Sequence, residues 1–183
     1  MKSLYQRWLI VITGVIVMLG LSSCSHLNLE QAPTNDEKLL LEDYFNGKTR
    51  AHGVLLDRSG APQRYFVADI LGTWNAQTQT LVLDESFVFS DGERSKRLWT
   101  IKKVGANQYT GGAADVVGEA QGKINGNVFN WTYTLQVPYK GRTVNVDLDD
   151  WMFLSSNNVL LNRAIMTKFG FKVGELVLSF EKL

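Results

Sequence analysis

The sequence predicts an all-β chain: an antiparallel up-and-down β-barrel of nine or ten strands, entered through one short N-terminal helix. Three observations predict it. From Lys48 onward apolar residues recur with a period of two, the signature of strands with one wet and one dry face. Turn residues interrupt that pattern at short, regular intervals. Five Trp, six Tyr and nine Phe stand against three prolines, a composition suited to a packed, strand-rich domain rather than a disordered one.

The elements before the barrel come first. Lys2 and Arg7 supply positive charge, and Trp8 to Leu21 is an apolar run broken only by Thr13 and two glycines. An export signal needs positive charge followed by about 7–15 apolar residues, and a permanent span needs roughly 20, so this run is too short to be a comfortable span. Leu21-Ser22-Ser23-Cys24 follows, ending in the only cysteine of the chain. This stretch resembles the lipobox of bacterial lipoproteins. The resemblance implies a diacylglycerol on the Cys24 thiol, cleavage after Ser23 and an acyl chain (palmitate) on the new amino terminus. Several acyl chains at about 0.8 kcal/mol per buried methylene give stable anchoring, which one chain does not. Acylation also explains an unpaired cysteine in an oxidising compartment. Ser25 rather than aspartate follows Cys24; by the sorting rule of Gram-negative lipoproteins this implies the outer membrane, with the domain facing the periplasm.

The expected organisation is therefore a signal peptide over 1–23, the acylated cysteine and a polar tether over 24–34, and the barrel over 35–183. Net charge is +1 with no long block of either sign. Nucleic-acid binding needs a concentrated basic footprint, so that class is set aside.

Thr34-Asn35-Asp36-Glu37 has the spacing of a capping box, Leu40/Tyr44 and Leu41/Phe45 are i,i+4 pairs, and Gly47 supplies a stop. This predicts a helix able to plug one barrel end. Strands are expected near 49–57, 63–74, 79–89, 94–104, 107–113, 115–124, 127–137, 142–153, 158–167 and 174–182. The clearest is Phe129, Trp131, Tyr133, Leu135 and Val137, alternating with polar neighbours. Asp91-Gly92 and Asn125-Gly126 are hairpin dipeptides, and Ser59-Gly60-Ala61-Pro62 and Lys140-Gly141 mark further turns. A meander this long closes, because closure removes unpaired edges. A lipocalin-like or fatty-acid-binding-like barrel is the natural solution, an open sandwich the alternative.

The chain resembles the uncharacterised proteobacterial lipoprotein family DUF3833. The resemblance is carried by Asp57-Arg58-Ser59-Gly60, Gly72-Thr73-Trp74, Asp91-Gly92, Asp149-Asp150-Trp151-Met152, Asn162-Arg163 and Lys168-Phe169-Gly170. It implies a lipoprotein and no particular activity. Gly72-Thr73-Trp74 also matches the G-x-W motif of lipocalins, but it follows an earlier strand instead of opening the barrel.

Candidate chemistry is sparse. His26 falls in the tether, leaving His52 as the only domain histidine, so a zinc site of nitrogen and sulfur ligands is not expected, nor a cofactor. No serine sits in a nucleophile turn that could use His52. The glycines from Gly111 to Gly126 lack the ending of a phosphate loop. Ala114, Val116, Gly118, Ala120, Gly122 and Ile124 share one face, which either leaves volume inside the barrel or lets the strand bend.

The sharpest polar cluster is late. Leu148 lies on the apolar parity while Trp151 and Phe153 lie on the other, so a β-bulge at Asp149-Asp150 is expected to restore the register. On the next strand either Arg163 or Asn162 enters an apolar environment. An interior Arg163 could hold a carboxylate or phosphate bidentately, or pair with Asp149 or Asp150. Glu85 shares parity with Leu81, Leu83 and Phe87 and is either a second buried acid or a lone exposed one.

The candidate ligand-binding residues are thus Arg163, Asn162, Asp149, Asp150, Trp151 and Glu85, with Cys24 as the lipidation site and no catalytic residue assigned. The function expected is a periplasmic lipoprotein, membrane-held through Cys24, whose barrel binds or carries an apolar ligand such as a fatty acid or phospholipid. The alternatives are a lipid-modifying isomerase or hydrolase using Asp, Glu and Arg, and a structural or interaction lipoprotein of the envelope.

Overall fold

A computed structural model describes residues 28–183. The signal segment and Cys24 lie outside the described residues. Ten antiparallel strands close into a barrel in which each pairs with its sequence neighbours and the first pairs with the last. They are β1 (Gly47–Asp57), β2 (Pro62–Asn75), β3 (Thr80–Phe89), β4 (Arg94–Gly105) and β5 (Gln108–Gly112). The second half is β6 (Val116–Asn125), β7 (Val128–Tyr139), β8 (Arg142–Leu154), β9 (Leu160–Lys168) and β10 (Phe171–Lys182). The up-and-down barrel expected from the alternation is the fold, with strand limits within three residues of those read from the pattern.

Two of the two-residue hairpin turns show how local chemistry sets the meander. Lys140-Gly141 and Phe169-Gly170 both place two successive residues at positive φ, the backbone that matches the twist of a two-residue hairpin.

The helix is shorter than the capping box predicts. Helix α1 spans Leu41–Phe45, with Leu40 as its N-cap and no side-chain cap. Residues 34–40 are held otherwise. The Asn35 amide N–H donates to Asn127 Oδ1 at 3.0 Å, its side chain donates to the Leu154 carbonyl at 3.2 Å, and Leu39 N–H donates to the Gly126 carbonyl at 3.0 Å. Pairing with the β6–β7 and β8–β9 turns satisfies the donors that a first helical turn would have left open. The end of the expected tether is likewise engaged: Leu29–Gln31 forms a 3-10 turn whose Leu29 carbonyl accepts from Asn125 Nδ2 at 3.0 Å.

Helix α1 plugs this end of the barrel. Leu41, Tyr44 and Phe45 are buried in the main core. The Tyr44 hydroxyl sits between the carbonyls of Asn158 (2.9 Å) and Phe180 (3.0 Å). Gly72 of the G-x-W motif has a local reason here: a Cβ at this position would collide with the Phe45 carbonyl. Its absence lets the last turn of the plug seat on β2.

One expectation about faces is corrected, and one that the sequence leaves open is decided. First, there is no bulge at Asp149-Asp150. The β7–β8 register runs unbroken from Val128↔Phe153 to Tyr139↔Arg142, and β8–β9 from Asp147↔Thr167 to Leu154↔Leu160. Leu148, Asp150 and Met152 therefore share the inner face, and Trp151 and Phe153 stack on each other outside, their rings 6.3 Å apart. Aromatic residues on the outer face misled the parity rule. The irregularities fall elsewhere, one of them in β6 between Val117 and Gln121, beside Gly118 at φ +71°.

Second, of the two readings of the small face of β6, interior volume or a bending strand, the space at Gly122 is filled, while the strand is irregular beside Gly118. A Cβ on Gly122 would overlap the indole of Trp131 and come within 2.6 Å of the Phe129 ring. The glycine is the space that Trp131 fills.

Candidate functional site

The barrel interior holds a cavity of about 120 Å³. Its wall is mostly aromatic and aliphatic, with Phe66, Phe87, Trp99, Trp131, Leu176 and Phe180 around it and Leu41 and Phe45 of the plug at one end. An apolar cavity of about 150 Å³ holds benzene; this one is somewhat smaller, the size of a short stretch of chain rather than of a whole lipid tail.

Five polar side chains interrupt the wall: Glu85 (β3), Arg97 (β4), Tyr133 (β7), Asp150 (β8) and Asn162 (β9). Each sits there because it falls on the inward parity of its strand. They form two groups.

In the first, Asp150 is 5 % exposed and both of its carboxylate oxygens are used. The Asn162 amide donates to Oδ1, and the Tyr133 hydroxyl donates to Oδ2 at 3.0 Å. Burial pushes the Asp150 carboxyl up to about 6, against the pull of those two hydrogen bonds and of the Arg97 charge. Burial and the neighbouring Asp150 charge hold the Tyr133 phenol well above its usual range.

In the second group, Glu85 and Arg97 are direct cross-strand neighbours on β3 and β4. Side chains in that relation are about 5 Å apart at Cβ. The Arg97 Nε donates to Asp115 Oδ1 at 3.0 Å, and the guanidinium lies 4.6 Å from the Trp99 ring centroid. Yet Glu85 Oε2 and Arg97 Nη2 are both buried with no hydrogen-bond partner. Burial pushes the Glu85 carboxyl up to about 7, only partly opposed by Arg97. The side chain keeps some accessible surface; because it faces the interior, that surface belongs to the cavity wall.

The residues singled out from sequence divide between the two faces. Glu85, Asp150 and Asn162 come together inside. Arg163 does not: it lies on the outer face, 56 % exposed, with its Nε 2.5 Å from Glu175 Oε1. Glu175 also accepts from Lys172, so neither Asp149 nor Asp150 is the partner of Arg163. Asp149 is outside as well, accepting from Asn130 Nδ2 at 2.7 Å, and Trp151 is on the same face. His52 faces Glu181 at 3.6 Å on the exterior. Asp57 fixes its turn by accepting from the Ser59 and Ala61 amides at 2.8 and 3.0 Å.

Arg97 and Tyr133 were missed. The signal for Arg97 was present, since it shares parity with Trp99 and Ile101 in a strand read correctly. Tyr133 fits the apolar alternation of β7, which hides the hydroxyl it brings to Asp150.

An all-β, lipocalin-like barrel with a polar cluster set in an apolar cavity is the class of protein that fold and site define. The chain belongs to the family described as protein of unknown function DUF3833, whose model matches residues 18–182. No curated protein matches it by sequence. Among solved structures it is similar to the S-type phycobiliprotein lyase CPES from Guillardia theta, at a TM-score of 0.55 and 11 % identity. That match covers 79 % of this chain and 94 % of the lyase chain. At this identity the likeness establishes the fold.

Proposed function

We propose that this chain is a lipid-anchored, periplasm-facing protein whose barrel binds a mostly apolar molecule carrying one polar group. The observation that carries the reading is the pair of unpartnered buried atoms, Glu85 Oε2 and Arg97 Nη2, in an otherwise aromatic cavity wall. Leaving a buried donor or acceptor unpaired costs about 1–3 kcal/mol, more when it is charged. Small-ligand sites are built this way, with apolar walls and a few placed polar groups.

Anchoring through acyl chains on Cys24 remains part of the proposal. Asn28 leads directly into the turn bound at the plugged end. Four residues reach about 14 Å at most, so the anchor would hold the barrel by its plug. A molecule longer than the cavity would extend from the opposite end, away from the anchoring membrane.

A second reading is favoured by the two interior carboxyls poised at about 7 and about 6. Acids so placed suit proton transfer near neutral pH. The similar phycobiliprotein lyase is an instance of this barrel shape in an enzyme. In such a reading Glu85 is the acid or base and Arg97 orients the substrate.

The test uses residues 25–183, since 28–183 already contain the closed barrel with its core. Exported to a bacterial periplasm and purified without detergent, the protein is extracted with organic solvent and the extract read by mass spectrometry. A stoichiometric small molecule, and quenching of Trp99 and Trp131 fluorescence when it is added back, is the expected result. An empty protein whose tryptophan emission no apolar molecule changes would end the binding reading. Turnover of the extracted molecule, abolished by Glu85→Gln, would favour the enzyme.

A further inference from the structure

The interior charges say more about the head group than the shape of the wall does. Three acids and one cation are set in or against this cavity wall. Glu85 faces in from β3, Asp150 from β8, and Asp115 reaches the guanidinium from the β5–β6 connection; among the described residues Arg97 is the single positive group lining the cavity, with Tyr133 and Asn162 as neutral donors.

Arg97 is not a free anion receptor. Its Nε is committed to Asp115 and its face lies over Trp99, and of its two terminal nitrogens Nη2 is the buried one without a hydrogen-bond partner. A carboxylate or phosphate entering the gap would meet the N–H groups of Nη2 and, directly across on the neighbouring strand, the carboxyl of Glu85. Like charges at such range oppose one another strongly where water is excluded.

The two open atoms have complementary roles. Glu85 Oε2 can accept and Arg97 Nη2 can only donate. One group satisfies both at once if its oxygen accepts from the arginine and its own hydrogen goes to the glutamate. A hydroxyl does this, and so does a primary amide. An ammonium offers hydrogens to Glu85 but has nothing for Arg97 to donate to, and adds a cation beside a cation.

We infer that the gap between Glu85 and Arg97 receives the head group of an uncharged amphiphile, an alcohol or primary amide, and discriminates against fatty-acid carboxylates and phosphates. This rests on the binding reading above and narrows it. It also replaces the anion expected from an interior Arg163, because the arginine that does face inward is already held by Asp115 and outnumbered by acids.

The test compares three probes of equal chain length, decan-1-ol, decanoate and decylammonium, with residues 25–183 at pH 8. Each is titrated against a bound fluorescent apolar probe that carries no charge, N-phenyl-1-naphthylamine, with isothermal calorimetry as the direct check. The alcohol is expected to bind at least tenfold more tightly than either ion. A hydrogen bond to a charged partner supports a preference of that size.

Glu85→Gln, which keeps the shape, should narrow the gap between alcohol and carboxylate at least threefold by removing the opposing charge. Circular dichroism confirms that this variant is folded. Should Glu85→Gln fail to fold, Asp115→Ala serves in its place: it removes the acceptor that holds Arg97 Nε, and decanoate should gain affinity relative to the alcohol.

The outcomes separate the two readings. If neither the fluorescent probe nor any amphiphile binds, the binding function falls and this inference with it. If all three amphiphiles bind equally, the apolar cavity stands and the head-group assignment is overturned. Decanoate binding as tightly as the alcohol, or more tightly, overturns it as well.

Discussion

Glu42 on the plug and Glu85 on β3 are both acids turned into the barrel interior, and each faces a cation on β4, Lys103 for the first and Arg97 for the second. At Glu42 the contacts close. Lys103 Nζ donates to Oε1, and the Tyr109 hydroxyl donates to Oε2 at 2.7 Å. Burial would raise this carboxyl, but the hydrogen bonds from Lys103 and Tyr109 outweigh it and hold Glu42 below its usual range. At Glu85 nothing closes. Arg97 turns to Asp115 and Trp99 instead, and burial prevails. One acid fastens the plug to the wall. The other is left with an unmet hydrogen-bonding atom in the wall of a cavity, which is what distinguishes a binding group from a structural one.

The largest expected effect follows from breaking the closed pair. Removing one partner of a mostly buried ion pair costs about 3–5 kcal/mol, because the other charge is left uncompensated. Glu42→Ala should therefore lower stability by about 3 kcal/mol, read as a fall in the urea midpoint with unchanged slope. Lys103→Met should cost a similar amount. If either change is neutral, the plug is held by its apolar side chains alone and the contrast with Glu85 loses its first half.

The matching change at the open acid has the opposite sign. A carboxyl raised from 4.5 to about 7 by burial is destabilising whenever it ionises. The full shift is worth about 3 kcal/mol, and a buried glutamine carries a desolvation cost of its own. Glu85→Gln is expected to stabilise the ligand-free protein by about 2 kcal/mol at pH 8. A destabilised variant would mean that Glu85 holds the fold together as Glu42 does.

The pH dependence separates the two acids again. For Glu85 the folded-state pKa lies above the unfolded value, so its contribution is most favourable below pH 4.5. It is lost as pH rises through about 7, and is level beyond. Asp150 behaves likewise between 3.8 and about 6. Glu42 has the reverse sign and loses its contribution as pH falls below its usual range. The groups facing Glu85 are Arg97, Asp115, Tyr133 and Asp150. Denaturant midpoints measured from pH 4.5 to 8 should therefore decline in the wild type, and Glu85→Gln should remove the part of that decline lying above pH 6. An unchanged slope in the variant would sink the assignment of a raised carboxyl to Glu85.

The barrel was legible because alternation survives in every long strand and closure follows from the number of edges. Half of the site was legible for the same reason. Glu85 betrays itself by parity, as do Asp150 and Asn162 once the β8 register is known. That register was misjudged because Trp151 and Phe153 stack on the outside, where the parity rule expects polar residues. The choice between Arg163 and Asn162 as the inward group stays open for the same reason, and the register decides it for Asn162. The filled glycine at Gly122 could not be foreseen either, since it depends on which rotamer of Trp131 the opposite strand admits. Face assignments follow from local pattern, whereas what fills a face is decided across the sheet.

The smallest effect is expected at Arg163, and it sharpens the contrast between an arginine outside the barrel and one inside. Arg163 is half exposed, and exposed ion pairs are worth about 0–1 kcal/mol. Its partner Glu175 keeps a second cation in Lys172 when Arg163 is removed, so no acid is stranded. Arg163→Ala should shift stability by about 0.5 kcal/mol and leave amphiphile affinity unaltered in the displacement titration. Arg97→Met, in the same titration, should cost the alcohol most of its preference, because the oxygen of the head group then has no donor. Were Arg163→Ala instead to weaken binding while Arg97→Met did not, the ligand would lie on the outer face of β8 and β9, beside Trp151, and the interior cluster would be structural.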